Sequence, residues 1–241
     1  MSIFEKDILH FDCVSSTFDK LKEYNREKVL AVVSKIQTDG VGRMGRNWSS
    51  KEGGLYFSFY LEQNEIFKDI PFLTILVALA AFKTISNYIP CQIKWPNDIV
   101  FDGKKVCGIL AKSFVTGDDI TLMAGVGINV NNAIDPSLLY KAVSLKDILK
   151  KDSDTDEILN KFFCELKTLY TCSKEDIMEK YRENCVTLGR EVSVDFLSGN
   201  KIIKGKCVNV LDDGTIDVET ENGICNVNSG EVSVRGIYGY V

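Results

Sequence analysis

The sequence predicts an α+β chain in two parts. Residues 1–185 read as helices packed on a mixed or antiparallel sheet, and residues 186–241 as a small β-barrel. Three observations carry this. Apolar strand-like runs between residues 29 and 130 are joined by tight-turn signals such as Asp102-Gly103, so neighbouring strands pair as hairpins and the sheet is not doubly wound. Periodic segments at 70–88 and 144–184 read as helices. After Cys185 the pattern changes to short β-rich runs between turn residues, which places a domain boundary near Val186.

Taken in order, Phe18, Leu21 and Tyr24 recur at helical spacing, with Ser16 or Thr17 as N-cap. Residues 29–36 form a continuous β-branched run, hence a buried strand. Leu55, Phe57, Phe59 and Leu61 alternate with Tyr56, Ser58 and Tyr60, the pattern of a half-buried strand. Residues 70–88 form a strongly apolar helix. Residues 91–95, 99–101, 105–115 and 120–130 read as strands, the last two joined by a turn at Gly117-Asp118-Asp119. Helices follow at 144–150, 154–170 and 173–184. Five strands then occupy 191–196, 201–211, 215–219, 224–227 and 231–234, separated by Ser198-Gly199-Asn200, Asp212-Asp213-Gly214 and Glu221-Asn222-Gly223.

The net charge of −5 disfavours a general nucleic-acid or anionic-membrane surface, so any phosphate site is a local cluster of cations. The first residues carry acids and no long apolar run, unlike a secretory leader. The longest apolar stretch, Phe72 to Phe82, is too short to span a bilayer. The eight cysteines contain no C-x-x-C pair and there is one histidine, His10, which disfavours structural zinc. Free thiols in a reducing cytoplasm are the expectation.

The chemistry concentrates in four segments. Gly40-Val41-Gly42-Arg43-Met44-Gly45-Arg46-Asn47-Trp48 interleaves glycines, which let backbone N–H groups approach an anion, with two guanidinium groups and an indole. A loop so rich in glycine is costly to hold rigid, which suggests a ligand that orders it. Its glycines match a dinucleotide fingerprint in form, but Gln37-Thr38-Asp39 separates them from the preceding strand and no helix follows, so that reading fails. An ordinary surface loop remains the alternative. Lys94-Trp95-Pro96-Asn97-Asp98 sets a cation, an aromatic ring, a rigid turn, an amide and a carboxylate side by side; a plain Pro-Asn turn is the alternative. Lys105 to Leu110 opens a strand with Gly108 inside it, which points to close approach of a ligand or another backbone. Gly125-Val126-Gly127-Ile128-Asn129 puts two glycines and an amide at a strand end, where a bulge is the alternative. Together these describe an anion site without a nucleophile: there is no G-x-S-x-G and no Cys–His partnership.

In this order, the glycine–arginine loop, Gly54-Leu55-Tyr56-Phe57-Ser58, Lys-Trp-Pro-Asn-Asp, Lys-x-x-Gly-Ile-Leu and Gly-Ile-Asn-Val resemble the biotin–protein ligases. The resemblance covers roughly residues 8–235. It implies a catalytic fold like that of class II aminoacyl-tRNA synthetases, followed by an SH3-like barrel. It implies activation of biotin by MgATP to biotinyl-5′-AMP, then transfer to a lysine of a biotin carboxyl carrier domain of a carboxylase. By motif position it implies that Ser16, Thr17, Phe18, Gln37, Val41, Gly42 and Gly108 surround biotin, and that Arg43 and Lys105 act on the carboxylate and α-phosphate. Arg46, Trp48, Lys94, Asn97, Asp98 and Asn129 are implied to face the nucleotide, with Asp98 also a candidate for Mg²⁺ or for orienting a neighbour. The metal ligands and the choice of monomer or homodimer stay open.

Three departures stand out. Val41 replaces an arginine common in bacterial members, and Phe18 replaces an asparagine beside biotin. The catalytic motifs begin near residue 8, so no winged helix and no operator binding are expected. A lipoate–protein ligase is the nearest enzyme alternative, but its arginine-pair, triple-glycine and His-Asp signature is not found. The other alternative is a biotin or adenylate binder that has lost turnover, supported by Val41 and Phe18 and opposed by Arg43, Lys94 and Lys105.

Overall fold

The computed structural model describes residues 6–61, 70–116, 119–196, 201–229 and 232–236. Seven strands form one sheet: β1 (Asp7–Val14), β2 (Val29–Gln37), β3 (Leu55–Tyr60), β4 (Gln92–Lys94), β5 (Asp98–Phe101), β6 (Lys104–Thr116) and β7 (Asp119–Ile128). Their order is β1-β2-β3-β7-β6-β5-β4. β1 runs parallel to β2 and the other pairs are antiparallel, so the sheet is mixed. Asp102 and Gly103 both adopt positive φ, 46° and 71°, as a tight hairpin between β5 and β6 demands. The turn expected at residues 117–118 lies outside the described residues, as does the one at 198–200.

β1 was not among the strands expected from sequence. It lies at the sheet edge, and most of its side chains are exposed or half-buried, so its hydrophobic alternation is weak.

Among the described residues five α-helices accompany the sheets: α1 (Thr17–Leu21), α2 (Ile70–Ile85), α3 (Leu145–Leu149), α4 (Thr155–Leu169) and α5 (Lys174–Glu183). In α2 every residue from Phe72 to Ala81 is buried, because the helix is apolar on all sides and lies between the sheet and α4 and α5. No helix among the described residues is long and apolar enough to cross a membrane.

β3 corrects the half-buried expectation: all six of its side chains are buried. Phe57 and Phe59 point toward α4, where they meet Phe162 and Phe163 edge-on at centroid distances of 5.0 and 5.4 Å. Tyr56, Ser58 and Tyr60 point to the opposite face, beneath α1 and its flanking loops. Their polar tips are satisfied there: Tyr56 Oη donates to the Lys51 carbonyl at 2.7 Å, and Tyr60 Oη lies 2.9 Å from the carbonyls of Leu21 and Tyr24. Alternating polar residues in this strand therefore mark a second buried face.

The second sheet contains β8 (Glu191–Phe196), β9 (Lys201–Val210), β10 (Ile216–Thr220), β11 (Gly223–Val227) and β12 (Val232–Gly236), in the order β11-β10-β9-β8-β12. It is a small antiparallel sheet compatible with an SH3-like domain. Among the described residues no pairing of β11 with β12 closes it into a barrel.

The two sheets share one core, and the Lys94–Asp98 segment is the joint between them. Trp95, 2% exposed, donates its indole N–H to the Gly214 carbonyl at 2.9 Å. Its backbone N–H donates to Thr187 Oγ1 at 3.0 Å, and Tyr181 Oη donates to the Pro96 carbonyl at 3.1 Å. Trp95 is thus a structural anchor. Replacing it with Phe leaves the Gly214 carbonyl buried without its donor, a loss of about 1–3 kcal/mol. Urea unfolding followed by circular dichroism is expected to show a lower midpoint with an unchanged slope.

Candidate active site

The site lies on the face of the large sheet opposite α2 and is laid out by strand register. One row of directly opposed residues crosses five strands: Tyr56 on β3, Gly127 on β7, Gly108 on β6, Asp98 on β5 and Lys94 on β4. Opposed residues share a face. The next row holds Ser58, Gly125 and Leu110. Gly108, Gly125 and Gly127 therefore leave a strip of bare backbone in the middle of the sheet. Gly125 and Gly127 lie within β7 in regular register, which removes the bulge alternative.

A bulge does occur one strand over. Ile99 pairs with Cys107 but Val100 pairs with Lys105, so Val106 is an extra residue on β6. Without it, Lys105 and Gly108 would point to opposite faces, because they are separated by an odd number of positions. With it, Lys105 folds over Gly108: a Cβ on that glycine would lie 2.8 Å from both Lys105 Cε and Nζ. Lys105 Nζ pairs with Asp98 at 2.6 Å, and both side chains are largely buried. Screening is weak at such a site, so the carboxylate holds the ammonium in place over the glycine.

A polar end lies beside Gly125. Ser16 caps α1 by accepting from the Phe18 N–H at 3.2 Å. Thr17 donates from its backbone N–H and its hydroxyl to Gln37 Oε1, at 2.8 and 3.0 Å, and its Oγ1 lies 2.8 Å from Ser58 Oγ. Gln37 Nε2 donates to Ser50 Oγ at 2.7 Å. Phe18 packs on Phe114 at 5.7 Å, with the ammonium groups of Lys22 and Lys112 over the two rings. Where the resemblance leads one to expect an amide, this chain has a wall of aromatic carbon.

The glycine–arginine loop is a small hairpin. Val41 bridges to Asn47, Gly42 N–H donates to the Arg46 carbonyl at 2.7 Å, and Trp48 N–H donates to the Gly40 carbonyl at 2.8 Å. Met44 and Gly45 turn the chain with φ of 58° and 67°. Its own backbone hydrogen bonds tie the loop into this shape. Arg43 donates to Asn97 Oδ1 at 2.9 Å and to the Ser229 carbonyl of the second sheet. Asn97 in turn donates to the Ile109 carbonyl at 2.6 Å. One amide therefore ties the loop arginine to the strand that carries Gly108.

Two cavities meet here. The inner pocket, about 50 Å³, is bounded by Ser16, Thr17, Phe18, Gln37, Ser58 and the glycine strip. The outer cleft, about 570 Å³, is bounded by Arg46, Lys94, Asn97, Asp98, Asn129 and the segment from Asn132 to Ala142. Gly42, Arg43, Trp48, Asn97 and Lys105 line both. All the site residues expected from sequence fall on one cavity or the other. Buried Asn129 is held by Asn132 Nδ2, which donates to its Oδ1 at 3.2 Å.

Sequence reasoning missed Ser58, although a serine in an otherwise aromatic strand was a signal. It also missed Ile134, Leu138 and Tyr140 in the cleft wall, and Ser229 and Val234 from the second sheet. Those last contacts join residues far apart in the chain, which no local pattern reveals.

The arrangement binds anions and positions them. Burial pushes the Cys107 thiol well above its usual range and Cys91 up to about 12, so neither supplies a thiolate. Among the described residues no three His, Cys, Asp or Glu side chains cluster as a metal cage would require.

Comparison with known proteins agrees with this geometry. Residues 10–131 match the model of the biotin/lipoate A/B protein ligase family. The Bacillus subtilis (strain 168) bifunctional ligase/repressor BirA is 29% identical over 96% of this chain and 75% of its own length. The Mycobacterium tuberculosis biotin–[acetyl-CoA-carboxylase] ligase is 26% identical over 84% of this chain and 78% of its own. The solved structure of a biotin protein ligase from Aquifex aeolicus in complex with biotin and ATP superposes with a TM-score of 0.84 at 35% identity, covering 96% of this chain and 99% of that one. The chain belongs to the biotin/lipoate A/B protein ligase family.

Proposed function

We infer that this protein is a biotin–protein ligase, which activates biotin with ATP and transfers it to a lysine of a biotin carboxyl carrier domain. The observation that carries this reading is the pair of cavities that meet at Lys105 and Arg43: a polar-ended pocket on a glycine floor, opening into a larger cationic cleft. The polar end formed by Thr17, Gln37 and Ser58 offers donors and acceptors suited to a ureido group, and the glycine strip leaves room for an apolar arm. Phe18 supplies an apolar wall there, so the departure at this position changes a polar contact without removing the pocket.

In the first step a carboxylate oxygen of biotin attacks the α-phosphorus of ATP. The bond from that phosphorus to the bridging oxygen breaks, and pyrophosphate leaves. Both reactants are anionic, so the barrier falls chiefly through charge neutralisation and alignment. Lys105, held by Asp98, stands where carboxylate and α-phosphate meet, and Arg43, oriented by Asn97, faces the phosphate. Arg46, Lys94 and Asn129 line the nucleotide side. Mg²⁺ held by the ATP phosphates would add to the charge neutralisation, and Asp98 serves mainly to orient Lys105. In the second step the carrier lysine attacks the acyl carbon and AMP departs. Val41 places an exposed apolar side chain on the loop, so Arg43 is left as the main loop cation over the adenylate.

The same reading divides the chain at 185/186 into a catalytic domain and an SH3-like barrel. It places the enzyme in the cytoplasm, in keeping with eight cysteines that form no disulfide. At a net charge of −5 it assigns nucleic acid no role.

The test is a coupled assay with biotin, MgATP and a biotin carrier domain. Biotin-dependent pyrophosphate release and carrier biotinylation are expected; absence of both would sink the reading, and lipoate-dependent release in their place would favour the lipoate alternative. Lys105→Met is expected to lower the adenylation rate by about 100-fold or more, the scale of losing one preorganised charge. Arg43→Gly is expected to release the adenylate faster, measured by transfer of free biotinyl-5′-AMP to a carrier added in a separate compartment. Unchanged retention would remove Arg43 from its assigned role.

A further inference from the structure

The Trp48 indole sits directly on the glycine strip. A Cβ on Gly127 would lie 2.5 Å from its Cε2 and Nε1, and a Cβ on Gly108 would lie 2.8 Å from its Cζ3. The ring therefore rests on bare backbone at the centre of the sheet, at the passage between the inner pocket and the outer cleft, with Lys105 Nζ 4.9 Å from its centre. An acyl arm laid along the glycine strip would need the place the indole now holds, so the ring must move to admit it.

The walls are unequal. The floor is strand backbone fixed by the ladder. Phe18 is wedged against Phe114, and the Thr17–Gln37–Ser58 network is closed on itself. Trp48 comes from a hairpin whose Met44, Gly45, Arg46 and Asn47 are exposed. Its Nε1–H is buried with no hydrogen-bond partner among the described residues. Packing of the indole on the glycines favours the seated position, and the unpaired buried donor opposes it. The two effects leave the ring poised to leave when a competitor for the strip arrives.

We propose that the Trp48 indole is a gate seated in the acyl channel, which biotin displaces to reach the polar end of the inner pocket. This rests on the inner pocket being the biotin site. Trp48 then controls how fast biotin is captured as well as forming part of the wall. If the seated and displaced positions exchange, capture by the seated form waits for opening, and the observed rate levels off as biotin rises.

The test is pulse–chase rapid mixing of the full chain with radiolabelled biotin, chased with excess unlabelled biotin and MgATP. Wild-type capture is expected to reach a plateau with increasing biotin. Trp48→Ala is expected to remove the plateau and to exceed the wild-type rate by about tenfold at the same saturating concentration. Trp95 emission reports whether that variant folds. Trp48→Phe, with a smaller ring and no N–H to satisfy, is expected to retain a plateau at an altered height. Capture that stays proportional to biotin in the wild type would overturn the gate and leave the ligase reading intact. A plateau of equal height in Trp48→Ala would also overturn the gate. Failure of the wild type to bind biotin at equilibrium would overturn the ligase reading itself.

Discussion

The register between β6 and β7, which sets Gly108 opposite Gly127, is the constraint on which the site depends. In a sheet, a shift of one residue moves every side chain to the other face. Here such a shift would send the glycines toward α2 and bring Val126 and Ile109 into the pocket. The register is secured by burial: Val126, Ile128 and Ile109 belong to the core on the helix side. The apolar core thus specifies where the bare backbone lies, and the bare backbone creates the room in which two anions can be brought together. The Val106 bulge adds the second requirement, since it turns Lys105 onto the same face as the glycine three residues further on.

The small sheet is built into this arrangement. Trp95 anchors it through Gly214, and the same turn presents Asn97 and Asp98 to the site. Arg43 reaches the Ser229 carbonyl, and Val234 closes one side of the outer cleft. The second sheet therefore acts on the catalytic groups by fixing the turn from which they project and by holding the loop arginine. Loss of that contact would free the guanidinium from one of its two named acceptors, although Asn97 would still orient it.

Much of this was legible in the sequence. The Asp102-Gly103 hairpin, the all-round apolar helix α2 and the capping Ser16 are local, and each has a local cause. The residues of the glycine–arginine loop and of Lys94-Trp95-Pro96-Asn97-Asp98 announced an anion site because glycines, cations and amides are hard to explain together otherwise. The rest needed three dimensions. Strand β1 was hidden because an edge strand shows little alternation. β3 read as half-buried because polar Tyr and Ser look solvent-facing until the layer covering them is known. The bulge at Val106 and the contributions of Ser58, Ser229 and Val234 are products of pairing between distant segments.

The claim that the glycine strip is the floor of the ligand site is tested most directly at Gly125, which lies beside Ser58 and Phe18. A Cβ there would come within 3.1 Å of Phe18 and 3.2 Å of Ser58 Oγ, close contacts that small adjustments of those side chains can relieve. The measurement is calorimetric titration of biotin into the wild type and Gly125→Ala, with urea unfolding to confirm that both fold. The account predicts binding weakened by at least about tenfold, or roughly 1.4 kcal/mol, in the variant. Equal affinity in the two folded proteins would contradict it.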